Sequence, residues 1–201
     1  MTDRAASSQS IGVKSALAAS GSAPTAGEAD RAAPLDFRAI YDAEFGYVWH
    51  SLRRLGVAER DLEDLAHDVF VAFYRGRGNY DLARPLRPWL FGIAFRVASD
   101  DRRRARHRFE VPHEAPEATD GSPIADEQVA AAEARRLVQA ALAALDLDRR
   151  AVFVMHDLDG HAMPEIAAAL SVPLNTCYSR LRLAREQFTA EVRRRQARGL
   201  P

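Results

Sequence analysis

The chain has 201 residues, 47% apolar and 28% charged, which fits one ordinary or two small folded domains and excludes a wholly disordered chain. No apolar run approaches the ~18 residues of a membrane span, and Lys14 with the short stretch after it is too weakly apolar for a secretory signal. Formal net charge is zero, yet it is unevenly spread: residues 35–74 carry net −4, 75–108 net +7, 109–134 net −7 and 135–201 net +4. Alternation of this strength suggests separate surfaces for separate partners, with nucleic acid the candidate for the two basic blocks. The plain alternative is that the arginine-rich helices are solvated faces.

Residues 1–34 are rich in Ala, Ser and Gly and nearly free of large apolar side chains, so a disordered tail is expected there. Residues 35–108 read as helices. Pro112, Pro116, Gly121 and Pro123 then mark a linker, placed at 109–134, with seven acidic and no basic residues. A polyanion of this kind is repelled by phosphates and cannot be a DNA arm. A helical pattern returns from about residue 127 and fills a second domain, 135–201. No stretch alternates with period two, so the expected class is all-α: two small helical domains joined by a flexible acidic linker.

In the first domain, Leu62, Leu65, Ala66, Val69, Phe70 and Phe73 form the apolar face of a helix. Asp61, Asp64 and Asp68 form a stripe along its edge, and Glu63 sits on the other side. Such a stripe is either a solvated face or a dock for a basic partner. No His, Asp or Glu set has metal-ligand or catalytic spacing, so neither cofactor nor enzyme chemistry is expected. Further on, Pro85 and Pro88 punctuate a loop and open a helix whose core face is Leu86, Leu90, Ile93, Ala94 and Val97. Trp89, Arg96 and Arg103 recur every seventh residue as a second stripe, and Arg102 and Arg104 crowd the same helix end. An aromatic beside guanidinium groups can stack on a base and hold phosphate. Otherwise Trp89 is simply core.

In the second domain, Leu137, Leu142 and Leu145 mark one helix and Ala151 to His156 another. Met163–Leu170, a break at Ser171-Val172-Pro173, and a helix from Leu174 make a helix-turn-helix. Cys177, Leu181, Ala184 and Phe188 are expected to face inward, leaving Asn175, Tyr178, Ser179 and Arg182 outward for base edges. Arg180 and Arg185 lie on the flanks, suited to phosphates. Cys177 is the only cysteine, which fits a reducing compartment and the cytoplasm. An ordinary helical hairpin with a polar surface is the alternative at this point.

These motifs resemble the extracytoplasmic-function sigma factors of the sigma-70 family. Asp61 to Phe70 is similar to that family's acidic helix, Trp89 to Arg104 to its Trp-Leu-x-x-Ile-Ala segment with a basic run, and Leu142 to Arg150, Glu165-Ile166-Ala167 and Thr176 to Leu181 to its last domain. The resemblance implies a non-catalytic, promoter-recognition subunit of RNA polymerase. It assigns Asp61, Glu63, Asp64, Asp68 and Phe70 to docking on the beta-prime clamp helices. Trp89, Arg96, Arg102, Arg103 and Arg104 would act at the opened minus-ten element. Asn175, Thr176, Tyr178, Ser179, Arg180, Arg182 and Arg185 would act at the minus-thirty-five duplex. It further implies contact of the last domain with the beta flap, a linker threaded through the polymerase, a monomer when free, and an anti-sigma factor as a common partner. The chain departs from the family pattern at His67, where Gln is usual, at Phe95-Arg96, where Arg-Asn is usual, and at Cys177-Tyr178, where Val and a basic residue are usual. A free-standing helix-turn-helix regulator is the other reading, although neither a zipper nor a sensor fold is visible for it.

Overall fold

Asp36 starts the first helix by accepting the backbone N–H groups of Arg38 and Ala39 on its carboxylate, at 3.0 and 3.2 Å. The computed structural model describes residues 36–81, 83–108 and 126–199; the expected tail (1–34) and the linker stretch 109–125 lie outside the described residues. All regular structure among the described residues is helical. Helix α1 spans Phe37–Leu55, α2 Leu62–Gly76 and α3 Leu86–Arg108; these three pack on one another. Helix α4 spans Asp126–Ala143, so it begins ahead of residue 134, where the expected linker ends. Helix α5 spans Leu147–Phe153 and runs into a π turn, Val154–Leu158. Helix α6 spans Met163–Leu170 and α7 Leu174–Ala197.

The first core follows from the spacing in α2. Leu62, Leu65, Ala66, Val69, Phe70 and Phe73 are all buried, every third or fourth residue along one face. Phe37, Tyr41 and Phe45 of α1 bring their rings against Phe70. Helix α1 ends at Gly56, whose left-handed backbone (φ 90°) closes the helix through its N–H to the Arg53 carbonyl at 3.0 Å.

Helix α3 is buried on two sides. Leu90, Phe91, Ile93, Ala94 and Ala98 are all in the core, and α3 touches α1 and α2 on one side and α6 on the other. Gly92 is the point of closest approach, because a methyl added there would overlap the Ala169 carbonyl oxygen of α6. The expected core face, Leu86, Leu90, Ile93, Ala94 and Val97, therefore omitted Phe91 and Gly92, which belong to the second side.

The same core continues into α5, where Arg150, Ala151, Val152 and Phe153 are buried in succession. Arg150 ties the turn together: it donates to the carbonyls of Ala143 at 3.0 Å and Leu145 at 2.9 Å, and across to Leu55 of α1 at 2.9 Å. Burial, and then the like charge of Arg102, push its pKa down to about 10. The π turn follows, with Asp159 N–H bonded to the Val154 carbonyl at 2.9 Å. Asp159 then joins the two helical groups, accepting from Arg54 at 2.7 Å and from the Tyr47 hydroxyl at 3.1 Å. The described residues from Asp36 onward thus form one compact unit.

Candidate nucleic-acid interface

On α2 the carboxylates of Glu63, Asp64 and Asp68 are exposed, opposite the apolar face. Asp61 departs from the expected stripe. It lies in a 3-10 turn, Glu59–Asp61, ahead of the helix, and pairs with Arg60 at 3.4 Å. Phe70 is 2% exposed and surrounded by α1 rings, so in this chain alone it holds the core.

On α3 the stripe of Trp89, Arg96 and Arg103 divides. Arg96, Arg103 and Arg104 are exposed and Arg102 is half-buried, with Arg103 ion-paired to Asp100. Trp89 is half-buried, edge-on to Phe73 at 5.1 Å and stacked on Tyr80 at 4.6 Å. One ring face is therefore occupied by Tyr80, a neighbour that sequence reasoning missed because it sits in an irregular loop. Tyr80, Arg84, Trp89 and Arg96 form one wall of a groove whose other wall is Pro164, Glu165 and Ala168 of α6. A second groove sets Arg102 and Arg103 opposite Asp148, Arg149, Ser179 and Arg180.

The helix-turn-helix is built by α6 and α7. Glu165 accepts the Ala162 N–H at 3.2 Å and so satisfies one free donor at the α6 start. Ser171 takes the left-handed conformation (φ 56°) that turns the chain, and the Val172 N–H returns to the Ala167 carbonyl at 3.1 Å. Cys177, Leu181 and Ala184 of α7 are buried, and Phe188 stacks on Phe153 at 4.6 Å. Asn175, Tyr178, Ser179 and Arg182 are exposed on the opposite face, and Thr176 is half-buried between them. The Ser179 hydroxyl donates to the Asn175 carbonyl at 3.0 Å, so it offers lone pairs outward. The expected division of α7 into an inward apolar face and an outward polar face matches this geometry.

The arginines in the first half of α7 are not loose. Arg180 pairs with Asp148 of α5 at 2.6 Å. Arg185 gives Nε and Nη2 to the two oxygens of Asp157, at 2.8 and 2.6 Å. Arg182 pairs with Glu186 one turn on, at 2.7 Å. The Arg185 hydrogen bond, helped by His156, holds the Asp157 carboxyl below its usual range. Spacing within α7 carried no signal of the α5 partners, which are brought in by tertiary packing.

A three-helix group with an acidic face and an arginine-lined helix, followed by a helix-turn-helix, agrees with the family models that match the chain. These are Sigma-70 region 2 over residues 40–108 and Sigma-70 region 4 over residues 135–188. The ECF RNA polymerase sigma factor SigL of Mycobacterium tuberculosis is 34% identical over 148 residues, covering 73% of this chain and 83% of the relative. The chain belongs to the ECF sigma factors of the sigma-70 family. This sigma factor is also similar to RNA polymerase sigma factor NccH of Alcaligenes xylosoxydans xylosoxydans, at 31% identity over 69% of this chain and 76% of the relative. Among solved structures it resembles CnrH in complex with the cytosolic domain of CnrY, with 27% identity and TM-score 0.55 over 77% of this chain and 85% of that one. The fold is also that of the sigma factor RpoE in complex with the anti-sigma factor NepR from Bartonella quintana, with 20% identity and TM-score 0.60 over 79% and 97%. The sigma factor therefore serves promoter-specific transcription initiation, and the free-standing regulator is not favoured, because both sigma domains are matched. No described helix is long and apolar enough to cross a membrane.

Proposed function

We propose that this sigma factor reads a minus-thirty-five duplex with the exposed face of α7 and acts at the minus-ten element with α3, while α2 docks on core polymerase. The observation that carries the reading is α7 itself. Asn175, Tyr178, Ser179 and Arg182 share one exposed face, held rigid by buried Cys177, Leu181 and Ala184. Hydrogen-bonding groups on the outer face of a helix-turn-helix suit base edges in a major groove. Arg180 and Arg185 flank that face and supply cationic contacts to phosphate. On α3, Arg96, Arg102, Arg103 and Arg104 supply the cationic side toward opened DNA, with Trp89 offering the ring face that Tyr80 leaves free.

The acidic residues Glu63, Asp64 and Asp68, with Asp61 at the helix entrance, suit the basic clamp helices of the beta-prime subunit, and the last domain suits the beta flap. The protein has no catalytic role of its own, works in the cytoplasm and is a monomer when free. The described complexes of CnrH with CnrY and of RpoE with NepR support an anti-sigma partner for this chain as well. The test is a selection over randomised minus-thirty-five sequences with holoenzyme. Arg182→Ala is expected to relax preference at one or two base pairs, a loss of ~1–3 kcal/mol of discrimination. An unchanged sequence preference contradicts base reading by this face.

A further inference from the structure

The first half of α7 carries three arginines, and each has a carboxylate of its own: Arg180 with Asp148, Arg182 with Glu186 and Arg185 with Asp157. Two of these carboxylates come from another element. Asp148 lies in the first turn of α5, and Asp157 lies in the π turn that ends it. The Arg182–Glu186 pair is an exposed contact one turn apart, of the kind that contributes little. The other two are better shielded. The Arg180 side chain is 24% exposed and the Asp157 side chain 20%. Asp157 is also braced by its neighbour, since His156 Nδ1 lies 2.7 Å from its Oδ1 and 3.4 Å from Arg185 Nη2.

Two physical consequences follow. First, Arg185 has given one whole edge of its guanidinium to Asp157, and Nη1 is the nitrogen left outside that fork. A guanidinium held in this way offers its remaining N–H groups, chiefly the two on Nη1, in one place and cannot swing to follow a displaced phosphate. Second, an arginine with a carboxylate at contact distance acts at long range as a dipole rather than a charge. Its attraction for a duplex at a distance is largely cancelled, while a hydrogen bond made at contact survives. Non-specific DNA binding depends on the first kind of attraction, and a seated complex on the second.

We infer that Asp148 and Asp157 are specificity-determining positioning residues of the duplex-reading face: they hold Arg180 and Arg185 in a geometry that serves the seated complex and withhold their charge from DNA in general. The inference rests on the proposed reading of a minus-thirty-five duplex by α7. It assigns the two aspartates a role opposite in sign to that of the arginines they hold. Neutralising the carboxylate frees one cation to find phosphates in any register.

The experiment uses the full chain and two short duplexes, one bearing the minus-thirty-five sequence selected above and one scrambled. Affinities are measured over a series of salt concentrations for wild type, Asp148→Asn and Asp157→Asn, with thermal melting alongside. Each variant is expected to bind the scrambled duplex roughly three- to tenfold more tightly, with a salt slope steeper by about one phosphate contact. Binding to the selected duplex should gain less or fall, so the ratio between the two duplexes shrinks. A ratio that stays at the wild-type value, or affinities that fall together with the melting temperature, overturns the positioning role. Asp148→Asn guards against a folding defect, because it leaves the braced Asp157 fork intact. A wild-type chain with no preference between the duplexes overturns the duplex reading itself, whereas a selective wild type with unaltered variants overturns this inference alone.

Discussion

Arg150 shows how much one side chain can hold. Its side chain is buried, and three backbone carbonyls, from the ends of α1 and α4 and from the turn after α4, converge on it. Its position also explains Gly56. A methyl at that residue would overlap the Arg150 Nη1, so both the left-handed backbone and the lack of a side chain are used. Arg150→Met keeps the volume and removes the donors, leaving the carbonyls of Leu55, Ala143 and Leu145 without their partner. A loss of roughly 3–5 kcal/mol in urea unfolding is expected. A loss below about 1 kcal/mol would mean that water replaces the guanidinium and that the arginine is not the organising group.

At the scale of the element, α2 and α7 each separate a buried face from an exposed one, and both were legible in the sequence because one apolar face at helical spacing is all they require. Reversing Asp64 and Asp68 to Lys on the exposed side of α2 should leave thermal stability within ~0.5 kcal/mol, since both residues lie off the core. Affinity for core polymerase should fall by several kcal/mol, as like charges meet at the dock. A titration that shows undiminished affinity would remove α2 from the interface. Helix α3 was read less fully. It is covered on two sides, so its pattern blends two apolar faces, and Phe91 and Gly92 could not be told from filler. Trp89 was legible as an aromatic on an arginine stripe, but not its stacking on Tyr80, which depends on a loop with no period. The burial of Phe70 was legible from its place on the apolar face, whereas a motif position by itself says nothing about whether a side chain points in or out. The pairing of Asp148 and Asp157 with arginines some thirty residues away was likewise beyond any local pattern.

At the scale of the whole molecule, the two regions matched to the sigma family close on each other. The cationic stripe of α3 faces α6 across one groove and α5 and α7 across another. Elements centred about 25 base pairs apart span roughly 85 Å at 3.4 Å per step, whereas the arginines of α3 and the start of α7 line one groove. Simultaneous use of both faces therefore requires the regions to separate. Gly92→Val would drive a side chain into the Ala169 carbonyl, and Asp159→Asn would weaken the tie to Arg54 and Tyr47. The double variant should favour the separated form by about 1–3 kcal/mol, raising the radius of gyration in small-angle scattering while helical content stays constant. A radius equal to that of wild type would show that these contacts do not keep the regions together.

The π turn at Val154–Leu158 gives this arrangement an unusual dependence. It accommodates one residue more than an α-helical path would, and on either side of that surplus stand Asp157, tied to α7, and Asp159, tied to α1. Deleting a single residue such as Leu158, which is exposed, would leave a sound α-helix but turn everything after it by about 100°. The two aspartates could no longer serve their separate partners at once. The link between α7 and the first helical group is thus written in the length of the chain, so an indel at this turn would cut it while every side chain involved remained in place.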